Sequence, residues 1–133
     1  MARGRALGAE AIRLAFEKKA TDAVLIQMSE AVTFTDWFVV LTGGNPRHTK
    51  GISDEIQRGL REQGVRATRA EGEREGDWIL LDYLDVVVHV FTPDAREFYR
   101  LEKLWGDVPQ TWFSDEGNVR SNDEGVVGQE ARG

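Results

Sequence analysis

The 133-residue sequence contains no cysteine, and its only imidazole rings belong to His48 and His89. The lack of cysteine excludes disulfide bonds, thiolate zinc sites and cysteine nucleophiles. No apolar run approaches the roughly 20 residues that a helix needs to span a bilayer, so we expect no membrane segment. The N-terminus carries arginines at positions 3 and 5 but lacks the long apolar core of a secretory signal, which predicts a cytoplasmic protein.

The overall composition predicts a single globular domain followed by a tail. Hydrophobic residues make up 41% and charged residues 30% of the sequence, and the length suits one domain. After Phe113 the sequence is rich in Gly, Asp, Glu, Asn and Arg, and few large apolar groups are left to offset the entropy of ordering. We therefore predict a domain over residues 1–113 and a disordered acidic tail over residues 114–133.

The charge is negative and unevenly distributed. The formal net charge is -6, which disfavours extensive contact with nucleic acid because phosphate-binding surfaces depend on clustered Lys and Arg. Between Glu71 and Asp85 the carboxylates are Glu71, Glu73, Glu75, Asp77, Asp82 and Asp85, and Arg74 is the single basic residue. Such a patch suits a basic protein partner, and a solvated loop explains it equally well.

The first half of the chain predicts a helix, two buried strands and a second helix. Apolar residues recur at helical spacing over residues 6–19, whereas residues 23–28 and 37–42 are continuous apolar runs of strand length. Asn45 followed by Pro46 is a favourable helix start, since Asn caps free amides and proline suits the first helical position. This helix should run to about Gln63, with Gly64 supplying its left-handed end.

The second half predicts a hairpin and a short helix. Residues 65–69 form a weak strand candidate before the acidic loop. Residues 78–82 and 85–91 are the strongest strand signals, and only Tyr83 and Leu84 separate them, so they predict an antiparallel hairpin. From Pro93 to about residue 105 we predict a helix whose apolar stripe is formed by Phe98, Leu101 and Trp105.

The two faces of the predicted hairpin differ in chemistry. One face is aliphatic and should pack under helices: Ile79, Leu81, Val86, Val88 and Val90. With Tyr83 and Leu84 as the loop, the other face places Trp78 opposite His89 and Asp82 opposite Asp85. This mixed face is either a binding surface anchored by Trp78 or a second core layer in which His89 or Arg96 satisfies the acids.

Signals for an enzyme are weak. Carboxylates and an imidazole suit a divalent metal, but the spacing of Asp82, Asp85 and His89 is not characteristic. Gly43 and Gly44 precede a helix without the Gly-Lys-Ser/Thr ending of a phosphate-binding loop. No Asp-x-Asp pair lies on a strand for two-metal phosphoryl transfer, and no serine sits in a nucleophile-elbow motif. We therefore expect neither catalysis nor a bound cofactor or metal.

Several short motifs occur in a recognisable order. They are Asp36-Trp-Phe-Val-Val, Thr42-Gly-Gly, Arg47-His48, Glu71-Gly72, Trp78-Ile-Leu-Leu-Asp-Tyr-x-Asp-Val-Val-Val-His-Val-Phe91 and Arg96-x-Phe-Tyr-x-Leu-Glu-x-Leu-Trp105. In this order and spacing the sequence resembles the ribosome-silencing-factor (Iojap) family over residues 7–106, the core of the predicted domain. It differs from the family at Gly44-Asn45-Pro46, where a Ser-rich turn is common, and at Leu84, where Gly is frequent.

The resemblance implies a fold and a function. The fold is a compact single-domain α/β structure with a mixed sheet of about five strands packed with helices, related to the nucleotidyltransferases but without their catalytic residues. Family members repress translation by binding the fourteenth protein of the large ribosomal subunit and blocking the joining of the small subunit during starvation or stationary phase. Organellar relatives assist ribosome assembly, which leaves an assembly factor as the first alternative and a nucleotide-dependent transferase as the second.

The resemblance also implies which residues contact the partner. They are Glu71, Trp78, Leu80, Asp82, Tyr83 and His89. An acidic chain suits a basic ribosomal protein and makes little direct contact with nucleic acid. Because an exposed aromatic sheet face tends to be buried, the same face is expected to pair two copies of the free protein in a homodimer.

Overall fold

The computed structural model describes residues 2–29, 31–32, 34–114 and 119–121. Helices and strands follow one another along the chain as α1 (Ala2–Phe16), β1 (Thr21–Gln27), β2 (Trp37–Thr42), α2 (Pro46–Glu62), β3 (Arg69–Glu71), β4 (Trp78–Asp82), β5 (Val86–Phe91), α3 (Pro93–Tyr99), α4 (Leu101–Leu104), β6 (Gln110–Phe113) and β7 (Val119–Ser121). Within these residues, no helix is both long and apolar enough to cross a membrane.

The strands form one mixed sheet in the order β3-β4-β5-β2-β1-β6-β7. Strands β2 and β5 pair in parallel, and the other neighbours pair antiparallel. This confirms the predicted α/β class with a mixed sheet, although the sheet has seven strands instead of about five. The additional strands are β6 and β7, and β7 lies within the segment predicted to be disordered. The rest of that tail, residues 115–118 and 122–133, lies outside the described residues.

Helices α1 and α2 cover one face of the sheet. Helix α2 begins as its sequence predicts: the Asn45 side chain accepts a hydrogen bond from the amide of His48, and Pro46 occupies the first turn. Ile52, Ile56 and Leu60 along the helix are fully buried against the sheet. Gly64 follows with φ of +84°, the left-handed conformation expected at a helix end.

The opposite face is covered in part by the segment from α3 to β6. The predicted continuous helix over residues 93–105 is interrupted at Arg100, whose φ of +47° separates α3 from α4. Arg96 is buried beneath the segment, where it donates to the Thr42 hydroxyl at 2.8 Å and to Glu102 at 3.1 Å. Leu101 and Trp105 pack on this face, whereas Phe98 is 79% exposed, so Phe98 is not part of the predicted apolar stripe.

The β4–β5 hairpin differs from its predicted register by two residues. Trp78 lies opposite Phe91, and Asp82 lies opposite Val87. The loop therefore consists of Leu84 and Asp85, because Tyr83 still pairs through its amide with the carbonyl of Val86. A shift of two residues preserves the assignment of side chains to faces but separates Asp82 from Asp85. The weak strand predicted at residues 65–69 is instead β3 at Arg69–Glu71.

Candidate functional site

The sheet brings most of the predicted contact residues to one surface. Residues that lie directly opposite each other share a face, and Glu71 pairs with Leu80 while Leu80 pairs with His89. Alternation along β4 adds Trp78 and Asp82 to the same side. We call the surface formed by Glu71, Trp78, Leu80, Asp82 and His89 the hairpin face. It is the side of the sheet opposite α1 and α2.

Tyr83 lies on the other face of the sheet. It is 6% exposed and belongs to the core formed with the side chains of Ile79 and Leu81 under the helices. The cause is the shifted loop, since Tyr83 continues the alternation of β4 instead of forming the turn. Burial raises the pKa of the Tyr83 phenol to about 12. The structure therefore separates Tyr83 from the other residues predicted to contact a partner.

His89 lies beneath Trp78 and holds it in place. The Trp78 indole Nε1–H donates to His89 Nδ1 at 3.1 Å, which requires a neutral imidazole with its proton on Nε2. His89 is 4% exposed, and burial lowers its pKa to about 3. Among the described residues, Nε2 has no hydrogen-bond partner. His89 is thus a neutral acceptor that orients the half-buried indole ring.

Aromatic side chains form a continuous row across this side of the sheet. The row runs Phe34, Phe38, His89, Trp78, Tyr99 and Phe98, and successive ring centroids are 6.4, 4.5, 5.9, 4.5 and 4.9 Å apart. These spacings are those of contacting aromatic pairs. The two ends are open to solvent, with Phe34 67% and Phe98 79% exposed. A surface with aromatic rings at its ends and centre is suited to burial by another protein.

Charges border the aromatic row at the edge of the sheet. Asp82 Oδ1 accepts a 2.8 Å hydrogen bond from the Leu84 amide, and its Oδ2 lies 3.5 Å from Arg69 Nη2. Arg69 Nε is also 3.2 Å from Glu71 Oε2. These charges are solvent-exposed or partly so, which makes the pairs weak and leaves the carboxylates available to a basic partner. Arg69, rather than His89 or Arg96, is the basic residue that pairs with Asp82.

The geometry gives little support to a metal or phosphate site. Within the described part of the chain, no group of three or more His, Asp or Glu side chains is arranged to hold a metal ion. At the start of α2, the Gly44 amide donates to His48 Nδ1 at 2.8 Å and the His48 amide donates to Asn45. Pro46 has no amide hydrogen. Two amides that could bind a phosphate at this turn, those of Gly44 and His48, are therefore already used.

Comparison with known proteins assigns the family. The model of the family described as "Ribosomal silencing factor during starvation" (RsfS) matches residues 3–132. The chain belongs to this family. A ribosomal silencing factor from Halalkalibacterium halodurans is 38% identical over 99 residues, which cover 74% of this chain and 85% of that protein. A crystal structure of a Chromobacterium violaceum protein superposes with a TM-score of 0.74 at 33% identity, covering 77% of this chain and 85% of that one.

The chain is also similar to part of a longer eukaryotic protein. A mouse protein named "Mitochondrial assembly of ribosomal large subunit protein 1" is 30% identical over 97 residues. These residues cover 71% of this chain but 42% of the mouse protein. The similarity therefore corresponds to one part of that longer relative.

Sequence reasoning missed Phe34, Phe98 and Tyr99 as members of the aromatic row. Phe98 and Tyr99 were expected within a regular helix, where helical spacing assigns Phe98 to a buried stripe. The left-handed residue Arg100 ends α3 directly after Tyr99, and both rings remain at the surface. Two adjacent aromatic residues at a helix end are the sequence signal that points to such a surface.

Proposed function

We propose that this chain binds the large ribosomal subunit and sterically blocks the joining of the small subunit, which slows translation under nutrient limitation or in stationary phase. Membership of the ribosomal silencing factor family supports the ribosome as the target. The observation that carries the mechanism is the hairpin face, an aromatic surface bordered by carboxylates. Such a surface binds a complementary basic protein without any chemical step. We therefore propose that the chain is not an enzyme.

The proposed partner is the fourteenth protein of the large subunit. Trp78 and Leu80, both half-buried, supply apolar anchors, while Glu71 and Asp82 favour a basic partner. His89 acts on the contact by orienting Trp78 through the 3.1 Å hydrogen bond. Tyr83 supports the hairpin from the core side, so its proposed role is indirect. The net charge of -6 disfavours competition for ribosomal RNA phosphates.

We also propose that two free copies pair in the cytoplasm through the hairpin face and the aromatic row that crosses it. The exposed rings of Phe34 and Phe98 are the reason, since a second copy would remove them from water. The same surface cannot contact another copy and the ribosome at once. The dimer would therefore dissociate on the large subunit, and sedimentation of the free protein at several concentrations tests for it.

Sedimentation with purified ribosomal subunits tests the proposed function. The wild-type chain is expected to co-migrate with the large subunit and to reduce the amount of joined ribosomes when the small subunit is added. Trp78→Ala, checked for folding by circular dichroism, is expected to do neither, because it removes the central aromatic anchor. Lack of association between the wild-type chain and the large subunit would refute the proposal. A folded Trp78→Ala protein that still inhibits joining would refute only the assigned face.

A second candidate is a factor that assists assembly of the large subunit. The name of the mouse relative, which describes assembly of the ribosomal large subunit, favours it. An assembly factor needs to bind immature particles but has no need to inhibit joining of mature subunits. Depletion of the chain from cells separates the two functions: immature large subunits accumulate for an assembly factor, whereas a silencer leaves their maturation unchanged and raises translation in starved cells.

A further inference from the structure

A cavity of about 650 Å³ opens beside the aromatic row, between the first turns of α2 and α3. Its wall includes Asp77, Asp94, Phe98 and Tyr99. Tyr99 is shared with the aromatic row, where its ring centroid lies 4.5 Å from that of Trp78. The cavity is therefore continuous with the hairpin face. A single partner segment lying on Trp78 can reach into it.

Two exposed aromatic rings form one wall of this cavity. Phe98 is 79% and Tyr99 is 44% exposed, and the two rings meet nearly edge to face with centroids 4.9 Å apart. Exposing two adjacent large apolar side chains to water is unfavourable in free energy unless another molecule covers them. The faces of such rings attract cations as well as apolar groups.

The charged side chains of the cavity favour a positive charge. Asp77 and Asp94 are exposed, and within the described part of the chain neither is in an ion pair. The residues that line the cavity, all of them described, include no Lys, Arg or His. The two carboxylates repel an anion. A guanidinium or ammonium group placed between the carboxylates and the aromatic rings is attracted by the carboxylates and by the rings.

We propose that this cavity receives a lysine or arginine side chain of the basic protein that contacts the hairpin face. The inference rests on the proposed function, since it assumes the same partner. Trp78 and Leu80 anchor the apolar part of the partner, and the cavity selects a cationic residue a short distance away. The cavity thus adds specificity for a basic segment to an aromatic surface that would otherwise bind apolar groups without distinction.

A matched pair of double variants tests the proposal. Asp77→Asn with Asp94→Asn removes both carboxylates of the cavity, and Asp54→Asn with Asp107→Asn removes two exposed carboxylates elsewhere. Both double variants change the net charge equally, so long-range attraction to the ribosome changes equally. We expect the cavity variant to bind purified large subunits about tenfold more weakly than the control variant, in line with the loss of a paired interfacial charge. Circular dichroism checks that α3 is retained in the cavity variant.

The outcomes distinguish failure of the cavity proposal from failure of the proposed function. If the wild-type chain binds and the two double variants have equal affinities for the large subunit, the proposed role of the cavity is overturned and the proposed function stays in place. A wild-type chain that does not bind the large subunit would overturn both.

Site-specific cross-linking identifies what enters the cavity. Because the chain has no cysteine, Phe98→Cys carries a benzophenone label at a single position, and Glu62→Cys on the far helix is the control. With purified large subunits, we expect the label at position 98 to capture a ribosomal protein at a peptide with a Lys or Arg next to the attachment point. Capture of ribosomal RNA, or no capture above the control, would overturn the proposal.

Discussion

The indole N–H of Trp78 donates a 3.1 Å hydrogen bond to Nδ1 of His89 across the β4–β5 hairpin. An imidazole accepts this bond only when it is neutral, because both nitrogens of a protonated ring are donors. Burial lowers the pKa of His89 to about 3, so the ring remains neutral and the acceptor is always present near neutral pH. The buried imidazole therefore fixes the orientation of the aromatic anchor on the surface above it.

The first prediction concerns the dependence of stability on pH. The His89 pKa is about 3 in the folded chain and lies near 6.5 for an exposed histidine, so below about pH 6 only the unfolded chain gains this proton. The free energy of unfolding should therefore fall by about 1.4 kcal/mol per pH unit between roughly pH 6 and pH 3 from this residue alone. His89→Phe removes this contribution, so its unfolding free energy should fall less steeply.

Urea unfolding of both proteins at pH 7, 6 and 5, followed by circular dichroism, measures the two slopes. The loss of the Trp78 acceptor changes the stability of His89→Phe at every pH and leaves the comparison of slopes intact. Parallel pH dependences of the two proteins would show that His89 is not held neutral by burial.

The loop of the hairpin contains a strained leucine. Leu84 has φ of +73° and is 61% exposed, so its side chain contributes little packing while its backbone occupies a region that favours glycine. Leu84→Gly relieves this strain, and after the greater entropy of the unfolded chain is subtracted we expect a gain of roughly 0.5 kcal/mol. Leu84→Ala retains the strain and should give no gain. Thermal unfolding of the three proteins checks the order, and a less stable Leu84→Gly protein would contradict it.

Gly72 permits the close approach of β3 and β4. Its φ is +82°, and a Cβ atom at this position would lie 2.0 Å from the Trp78 carbonyl oxygen. Gly72→Ala should therefore destabilise the fold by at least about 2 kcal/mol and displace Trp78, because the clash is with a main-chain carbonyl, which cannot move away without shifting the strand. Gly51→Ala is the matched control. A Cβ atom at this position in α2 would meet nothing within 4 Å beyond its own helical backbone, so the substitution should stabilise the fold by about 0.5–1 kcal/mol. Equal effects of the two substitutions in chemical denaturation would contradict this account.

Local signals in the sequence predicted the elements that depend on local chemistry. The start of α2 follows from Asn45 and Pro46, its end from Gly64, and the bounds of β2 and β4 from continuous apolar runs. The separation of aliphatic and mixed hairpin faces was also predictable, since alternation is unchanged by a register shift of two residues.

The features that depend on tertiary context were not predictable in the same way. The leucine in the loop occupies a conformation that propensity assigns to glycine, so the turn was predicted one residue too early, at Tyr83 and Leu84. Tyr83 instead continues β4 and is buried in the core under the helices. The break at Arg100 lies beside the buried contacts of Arg96 with Thr42 and Glu102. Thr42 is 54 positions away from Arg96, so local sequence gives no sign of that contact.

Binding of the large ribosomal subunit by a Leu80→Lys variant tests the central claim most directly. Leu80 is half-buried in the middle of the hairpin face, and a lysine there adds a positive charge that a basic partner repels. Asp54→Asn on α2, on the far side of the sheet, changes the net charge by the same amount and is the control. With both variants folded, we predict that Leu80→Lys binds at least about tenfold more weakly than Asp54→Asn in equilibrium co-sedimentation. Equal binding by the two variants would contradict the assignment of the hairpin face as the ribosome-binding surface.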